Sequence, residues 1–489
     1  MQIAFDNSYA AFGSPLSLPQ SPDPVKAPAL IRVNATLARE LGIDPAWLES
    51  EAGVAAVAGN ALPEGAEPVA TAYAGHQFGQ FNPQLGDGRA VLLGEVVAGD
   101  GHRYDLQLKG SGRTPWSRGG DGRSPLGPVL REYIVSEAMA ALGVPSTRAL
   151  AAVTTGEQVI RGGLEPGAIL ARVASSHLRV GTLQFFAARD DRDSLSRIVR
   201  HALERHYPDR ADDENPALAL LESVIEAQAS LIARWQLLGF IHGVMNTDNM
   251  LLCGETVDYG PCAFMENFKP ETVYSSIDVQ GRYAYQNQPG IAHWNLTRLA
   301  EALLPLIDDD ADAAVEKAKV PIQRFPELFG DAHSAGVARK LGLASLGEED
   351  VALANDLFTA LAADKADFTL AFRFLAEQIE PVEVAESIES LFSPGNKLLE
   401  WLPRWMQRQA REEAPASERQ AVMFAASPAF IARNHLIQRA IEDGEEGDFS
   451  LFHRLVERLA EPGRYDPADR ELALPATPQE AVLRTFCGT

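Results

Sequence analysis

Residues 215–240 read NPALALLESVIEAQASLIARWQLLGF, and apolar side chains occur along almost the whole segment. A helix with so little polar surface has to be buried, because only a surrounding core can cover it. The segment therefore predicts a central helix of about seven turns, packed inside a helical part of the protein.

The sequence before residue 182 has a different periodicity. AVLLGEVVA and RYDLQLKG alternate as strands do, and the turn GDGH between them predicts a hairpin. RALAAVTTGEQVIR and GAILARVAS predict two further strands. Apolar residues at intervals of three and four predict helices in PVLREYIVSEAMAALGV and, nearer the amino terminus, in PALIRVNATLARELGI.

Beyond residue 290 the pattern is helical again. We predict helices in HWNLTRLAEALLPLI, VALANDLFTALAADKADFTLAFRFLAEQI, NKLLEWLPRWMQRQAREE and FIARNHLIQRAIEDGEEGDFSLFHRLVERLAEP, with EEAPASERQ as a linker before the last. Strands first and helices afterwards indicate an α+β fold with two lobes. We expect an extension at 1–70, a strand-rich lobe with nucleotide-binding loops at 71–180, a helical lobe with catalytic loops at 181–410, and a helical extension at 411–489.

Composition narrows the choice of partners. The chain has 489 residues and a net charge of −24, which repels phosphate backbones and anionic lipids. We therefore expect no nucleic-acid or membrane partner. The amino terminus has no signal-peptide pattern and we predict no membrane-spanning helix, so we expect a cytoplasmic protein. We also expect a monomer. The three cysteines, Cys253, Cys262 and Cys487, are too few for a disulfide scaffold and lack the paired spacing of a zinc site.

Lys109 ends the predicted strand YDLQLK, and Glu132 lies on the next predicted helix. Protein kinases use such a lysine and glutamate as the ion pair that holds a nucleotide's phosphates. The glycine-rich segment that follows Lys109 lets backbone N–H groups approach an anion, but it matches neither G-x-G-x-x-G nor a P-loop. A solvated lysine beside a mobile surface loop is the alternative, and Gly86-Asp87-Gly88 fits a plain hairpin turn equally well.

The segment HGVMNTDNMLLCGETVDYG, residues 242–260, nearly matches the centre of a protein kinase. His242 and Asn249 keep the spacing of a kinase catalytic loop, but Val244 occupies the position of the catalytic aspartate. Asp258 begins an aromatic variant of the D-F-G motif, and with Asn249 it offers the oxygen ligands that Mg²⁺ accepts. Asp248 is the residue that could replace the missing base; a turn with capping side chains is the alternative.

Four long segments together resemble the selenoprotein O family. They are YAGHQFGQFNPQLGDGRAVLLGE, LQLKGSGRTPWSRGGDGRSPLGPVLREYIVSEAM, GFIHGVMNTDNM and DYGPCAFM. The resemblance implies a protein-kinase-like fold, long classed as a pseudokinase. It also implies a protein adenylyltransferase that moves AMP from ATP to Ser, Thr or Tyr hydroxyls of other proteins.

The resemblance also implies roles for particular residues. Asp248 would accept the proton, Asn249 and Asp258 would hold Mg²⁺ or Mn²⁺, and Glu132 would pair with Lys109. The implied nucleotide contacts are Gly86, Gly88, Arg89, Lys109, Asp121, Gly122, Arg172, Arg179 and Asp258. Spacing alone would assign Arg172 and Arg179 to surface salt bridges.

The family is expected to bind ATP inverted relative to a kinase. Lys109, Arg172 and Arg179 would then surround the γ-phosphate, and the α-phosphate would face the incoming hydroxyl. Phosphoryl chemistry depends mainly on positioning and electrostatics, with base catalysis commonly worth about 10²–10⁴-fold. The loss of the aspartate at position 244 is therefore tolerable if Asp248 serves the relocated reaction centre.

Three matters stay open from the sequence. A kinase that transfers the γ-phosphate is an alternative, against which Val244 argues. An inactive nucleotide-binding regulator is another, against which the retained Asn249 and Asp258 argue. Cys487 lies in the region where vertebrate relatives carry selenocysteine, so a redox role with a regulatory disulfide to Cys262 is a hypothesis.

Overall fold

The computed structural model describes residues 3–486. Its strands are β1 Ser17–Pro19, β2 Ala29–Val33, β3 Val69–Thr71, β4 Gly75–Gln77, β5 Gln80–Asn82, β6 Ala90–Val97, β7 Arg103–Lys109, β8 Ser124–Pro125, β9 Arg148–Ile160, β10 Leu164–Ala174, β11 Phe240–Ile241 and β12 Ala263–Phe264. Its helices are α1 Ala35–Glu40, α2 Pro45–Glu49, α3 Glu51–Val57, α4 Leu126–Ala141, α5 Val180–Ala187, α6 Arg192–His206, α7 Pro216–Leu238, α8 Gln288–Ile307, α9 Ala311–Leu341, α10 Glu348–Asp364, α11 Phe368–Glu377, α12 Asn396–Gln409, α13 Ala416–Ala426, α14 Asn434–Glu445, α15 Ser450–Leu459 and α16 Arg470–Ala473. A sheet-rich amino-terminal part thus precedes a helical part, as predicted.

The main sheet is antiparallel, with the strand order β1-β3-β6-β7-β10-β9-β2, and β8 pairs with β10. Its two faces carry different side chains because successive residues of a strand point to opposite sides. Leu106, Leu108, Ile169 and Val173 pack in a core with residues of α1–α3. The opposite face carries Gln107, Lys109 and Arg172 and is turned towards the polar cleft described below.

Two predictions for single segments are wrong. Residues 29–33 form strand β2 at the sheet edge rather than the start of a helix. Asn34 ends this strand and caps α1, accepting a hydrogen bond from the Leu37 N–H at 3.1 Å. The predicted linker EEAPASERQ is also shorter than expected, because its second half begins α13 directly after Pro415. Ala, Glu, Arg and Gln are good helix formers, which favours this outcome.

The central helix α7 is confirmed. Asn215 caps its first turn, Pro216 follows at a position that Pro favours, and Gly239 ends the helix in a left-handed conformation (φ 69°). By length and composition α7 would also pass as a membrane span, contrary to our expectation that no segment would. Since 67% of its most apolar window is buried inside the protein, it has the character of a core helix. It packs against α8 and α9.

Candidate active site

A cavity of about 610 Å³ lies between the polar face of the sheet and the loops that follow α7. It brings together residues that are far apart in the sequence. The sequence-predicted residues that line it are Gly86, Gly88, Arg89, Lys109, Asp121, Gly122, Glu132, Arg172, Arg179, Asp248, Asn249 and Asp258. Two residues singled out beforehand, His242 and Cys262, do not line this cavity.

Three cations and two carboxylates meet inside the cleft. Lys109 Nζ, at the end of β7, lies 2.5 Å from Glu132 and 2.8 Å from Asp258. Arg172 on β10 lies 2.9 Å from Glu132 and 2.7 Å from Asp258. Arg179, just before α5, approaches the other carboxylate oxygen of Asp258 at 2.8 Å. Arg172 and Arg179 are thus buried members of the site and not surface ion pairs.

The cluster keeps its carboxylates ionised. Burial alone would raise the pKa of Asp258, but Lys109, Arg172 and Arg179 outweigh it and hold that pKa well below its usual range. The pKa of Glu132 is lowered for a similar reason, with Lys109 and Arg172 opposing burial. One positive charge of the cluster remains uncompensated, which favours an incoming anion.

The loop that carries Asp258 is fixed by the residues around it. Asp258 has a left-handed backbone (φ 63°), an unfavourable conformation that persists only where neighbours enforce it. His242 stacks on Trp235 and places its Nε2 2.8 Å from the Val257 carbonyl oxygen. Tyr259 is fully buried and its hydroxyl contacts Ser146. His242, which sequence analysis singled out, therefore connects its own loop to the loop that carries Asp258. It does not line the cleft.

Asp248 and Asn249 lie in a short 3₁₀ turn, Thr247–Asn249. The Asn249 amide donates to the Val244 carbonyl at 2.9 Å, which leaves its side-chain oxygen available to a ligand. Burial raises the pKa of Asp248 from 3.8 to about 6, although Arg179 acts in the opposite direction. Gln77 donates to one carboxylate oxygen of Asp248 at 3.3 Å, and the other has no hydrogen-bond partner within residues 3–486. A buried acceptor of this kind, with a pKa near neutrality, suits a general base.

Two glycines admit close packing at the cleft wall. Gly86 has φ +90°, and a Cβ there would lie 2.4 Å from the Trp116 ring. Gly122 has φ +68°, and a Cβ there would overlap the Gly112 carbonyl. Only glycine tolerates both the backbone conformation and the contact. Asp121 beside Gly122 is held by Arg161 through two contacts of 2.9 Å each.

The structure describes one of the two cysteines in the disulfide hypothesis. Cys262 is buried four residues after Asp258, its Sγ 3.2 Å from the Tyr259 carbonyl oxygen. Cys487 lies outside the described residues. The proposed disulfide between them stays a prediction.

Sequence analysis did not identify Gln107 or Arg161. Gln107 lies opposite Arg172 in the strand register and accepts from its guanidinium at 2.6 and 3.2 Å. It shares the face of β7 with Lys109, two residues away, so strand periodicity could have found it. No local signal points to Arg161, which lies 40 positions from Asp121 at the tip of a hairpin.

Asn249 and Asp258 are the residues expected to hold a metal ion. Among residues 3–486 no group of three or more His, Cys, Asp or Glu side chains could hold an ion. Asn249 and Asp258 both line the cleft and supply two oxygen donors. This small donor set fits Mg²⁺, which is commonly bound by one or two protein ligands together with phosphate oxygens and water.

Comparison with known proteins identifies the family. The family model described as Protein adenylyltransferase SelO matches residues 1–460. The chain belongs to the SelO/YdiU family. A protein nucleotidyltransferase YdiU from Rhodopseudomonas palustris strain BisB5 is 56% identical over 491 residues, covering 100% of both chains. Another from Bradyrhizobium sp. strain BTAi1 is 57% identical over 490 residues, again with full coverage. A third, from Rhizobium leguminosarum bv. trifolii strain WSM2304, is 53% identical over 486 residues, 99% of this chain and 97% of its own.

Membership of the SelO/YdiU family confirms the resemblance found in the sequence. It makes the chain a nucleotidyltransferase and implies ATP as its nucleotide substrate.

Proposed function

We propose that the protein transfers AMP from ATP to Ser, Thr or Tyr hydroxyls of other proteins, in a kinase-like two-lobed fold with ATP inverted relative to a kinase. The observation that carries the proposal is the convergence of Lys109, Arg172 and Arg179 on Asp258 deep in the cleft. Two of these cations are almost fully buried. A protein kinase holds the phosphates with a single lysine paired to a glutamate, so the two additional arginines favour a more deeply placed anion.

The terminal phosphate of ATP is the group that such a pocket suits. With the γ-phosphate beside Arg172 and Arg179, the α-phosphate would lie nearer Asp248. Asp248 lines the same cleft, and its carboxylate would accept the proton. Val244, at the kinase base position, also lines the cleft but offers no carboxylate.

In the proposed reaction the acceptor hydroxyl oxygen forms a bond to the α-phosphorus, and the bond from that phosphorus to the α,β-bridging oxygen breaks. The hydroxyl proton passes to Asp248, and pyrophosphate leaves. Lys109, Arg172 and Arg179 stabilise the charge on the departing pyrophosphate. Mg²⁺ or Mn²⁺, held by Asn249 and Asp258 together with phosphate oxygens, would neutralise further charge there.

The experiment is product analysis of a protein acceptor incubated with enzyme, Mg²⁺ and ATP. The proposal expects the acceptor's mass to rise by one AMP and an equal amount of pyrophosphate to appear. Asp248→Asn should reduce both products about 10²-fold or more, whereas Asp209→Asn, at an exposed site, should change neither. A mass increase of one phosphate with ADP as co-product would establish the γ-phosphate kinase instead.

A further inference from the structure

Two segments contribute residues to the cleft that Asp248 also lines. One is the β4–β5 hairpin, and the other is the loop 276–283. Phe78 from the hairpin and Ile277 from the loop line the cleft together with Asp248. We call Phe78, Phe81, Ile277, Val279 and Arg282 the acceptor rim.

Hydrogen bonds connect the acceptor rim to residues 246–247, directly before Asp248. The Phe78 N–H donates to Asn246 at 3.1 Å and to the Tyr283 hydroxyl at 3.2 Å, and the Phe78 ring packs on the Tyr283 ring. Behind it, the His76 N–H donates to Thr247 at 2.7 Å. Phe78 also has a left-handed backbone (φ 52°). These contacts fix the position of the rim relative to Asp248.

The acceptor rim exposes apolar side chains where a substrate would pass. Phe81 is 43% exposed, Ile277 56% and Val279 91%. Single exposed apolar residues are common, but these three lie on the two segments that also contribute Phe78 and Ile277 to the cleft, which indicates a surface that another molecule covers.

A cation accompanies these apolar residues. The Arg282 guanidinium lies 4.8 Å from the Trp294 ring centroid and directly below the hairpin turn at Gly79. In the described part of the chain, no carboxylate forms an ion pair with Arg282; the neighbouring Arg298 is paired with Glu301 at 2.7 Å. Arg282 therefore offers a local positive charge that an acidic side chain can pair with, even though the net charge of −24 repels acidic partners at long range.

We propose that the acceptor rim docks the protein substrate through an extended segment in which an apolar side chain and an acidic side chain flank the accepting hydroxyl. The apolar side chain packs against Ile277 and Val279, and the acidic side chain pairs with Arg282. This inference rests on the proposed function, which supplies the protein substrate. It adds that the substrate is recognised by the residues on either side of its accepting hydroxyl.

The test uses two sets of fluorescein-labelled peptides. One set presents a central Ser, Thr or Tyr between Leu and Asp, and the matched set carries Lys in place of Asp. Their binding to the full-length protein is followed by fluorescence anisotropy with ATP and EDTA, so that no transfer occurs. The wild type should bind the Asp peptides at least about threefold more tightly than the Lys peptides, and added salt should reduce the difference.

Two variants and two matched controls assign the effect. Arg282→Glu should reverse the preference between the peptide sets, whereas Arg39→Glu, the same change at an exposed site on α1, should not. Val279→Ser should weaken binding of both sets about threefold or more. Val384→Ser changes a side chain that is equally exposed at 92% but far along the chain, and should have no effect.

The inference is overturned if the wild type binds neither set, if it binds both sets equally, or if Arg282→Glu leaves the preference unchanged. Repeating the assay with Mg²⁺ and α-labelled ATP tests the proposed function separately. Arg282-dependent binding without labelled peptide would leave the docking surface standing and overturn adenylyl transfer. Peptide labelling that is unchanged by Arg282→Glu would support adenylyl transfer and overturn the docking surface.

Discussion

Asp258 is the common partner of three cations, and its replacement gives the most informative perturbation. Its carboxylate lies 2.7–2.8 Å from Lys109, Arg172 and Arg179. Asp258→Asn preserves the shape of the side chain and removes its charge. The nucleotide-free protein should become less stable, whereas metal-free ATP should bind more tightly.

The two magnitudes follow from the geometry. Removing one partner of a buried charge cluster costs about 3–5 kcal/mol, and because the Asp258 side chain is 22% exposed, the lower end applies. A phosphate charge about 4 Å from this carboxylate would be repelled by about 4 kcal/mol at an effective dielectric constant near 20. Relief of a third of that repulsion raises affinity about tenfold.

Calorimetric titration with ATP in EDTA and denaturant unfolding give the two readouts. Asp105→Asn is the matched control, because Asp105 is also buried and paired, 2.7 Å from Arg205, but does not line the cleft. It should lose stability without any change in ATP affinity. If Asp258→Asn binds metal-free ATP no better than the wild type, the three cations are not directed at the triphosphate.

Two further predictions concern Lys340 and Gly75. Burial lowers the pKa of Lys340 from 10.5 to about 7, so the unfolded chain binds the proton more tightly and stability rises with pH between these values. Lys340→Met should therefore raise the unfolding free energy by about 5 kcal/mol at pH 6 but only about 2 kcal/mol at pH 9. Denaturant unfolding at both pH values measures this, with the exposed Lys26→Met as control. A gain in stability that is the same at both pH values would contradict the prediction. A Cβ at Gly75 would lie 2.4 Å from Asp248 Oδ1, so Gly75→Ala should lower kcat at least tenfold with little change in ATP affinity. Gly99→Ala, where a Cβ meets nothing within 4 Å, should leave kcat unchanged, and a Gly75→Ala enzyme of normal kcat would refute the placement of Asp248.

The order of strands and helices was predictable where one periodicity dominates. The hairpin of β6 and β7 and the buried helix α7 follow directly from their patterns. The strand at residues 29–33 was not predictable, because strand β2 and helix α1 adjoin at Asn34 and their apolar residues together give the pattern of one helix. Sequence analysis predicts no element for α9, which is helical over 31 residues despite Pro321 and Pro326. Packing against α7 and α8 outweighs the local cost of the prolines.

The site was predictable only as far as motifs and family resemblance reach. Lys109, Asn249 and Asp258 follow from spacing, since kinase loops place the same chemistry at the same intervals. Arg172 and Arg179 carry no local signal, and only the resemblance pointed to them. Their burial and their shared partner Asp258 depend on how β10 and α5 pack against the loop after α7, which no periodicity encodes.

The central claim is that the nucleotide lies with its α-phosphate towards Asp248. It is tested most directly by incubating the protein and an acceptor with Mg²⁺ and ATP labelled on either the α- or the γ-phosphate, with Asp258→Ala alongside. Protein-bound label should come from α-labelled ATP alone, and none should appear in the variant. Protein-bound label from γ-labelled ATP alone would contradict it, because Arg172 and Arg179 would then not be holding the leaving group.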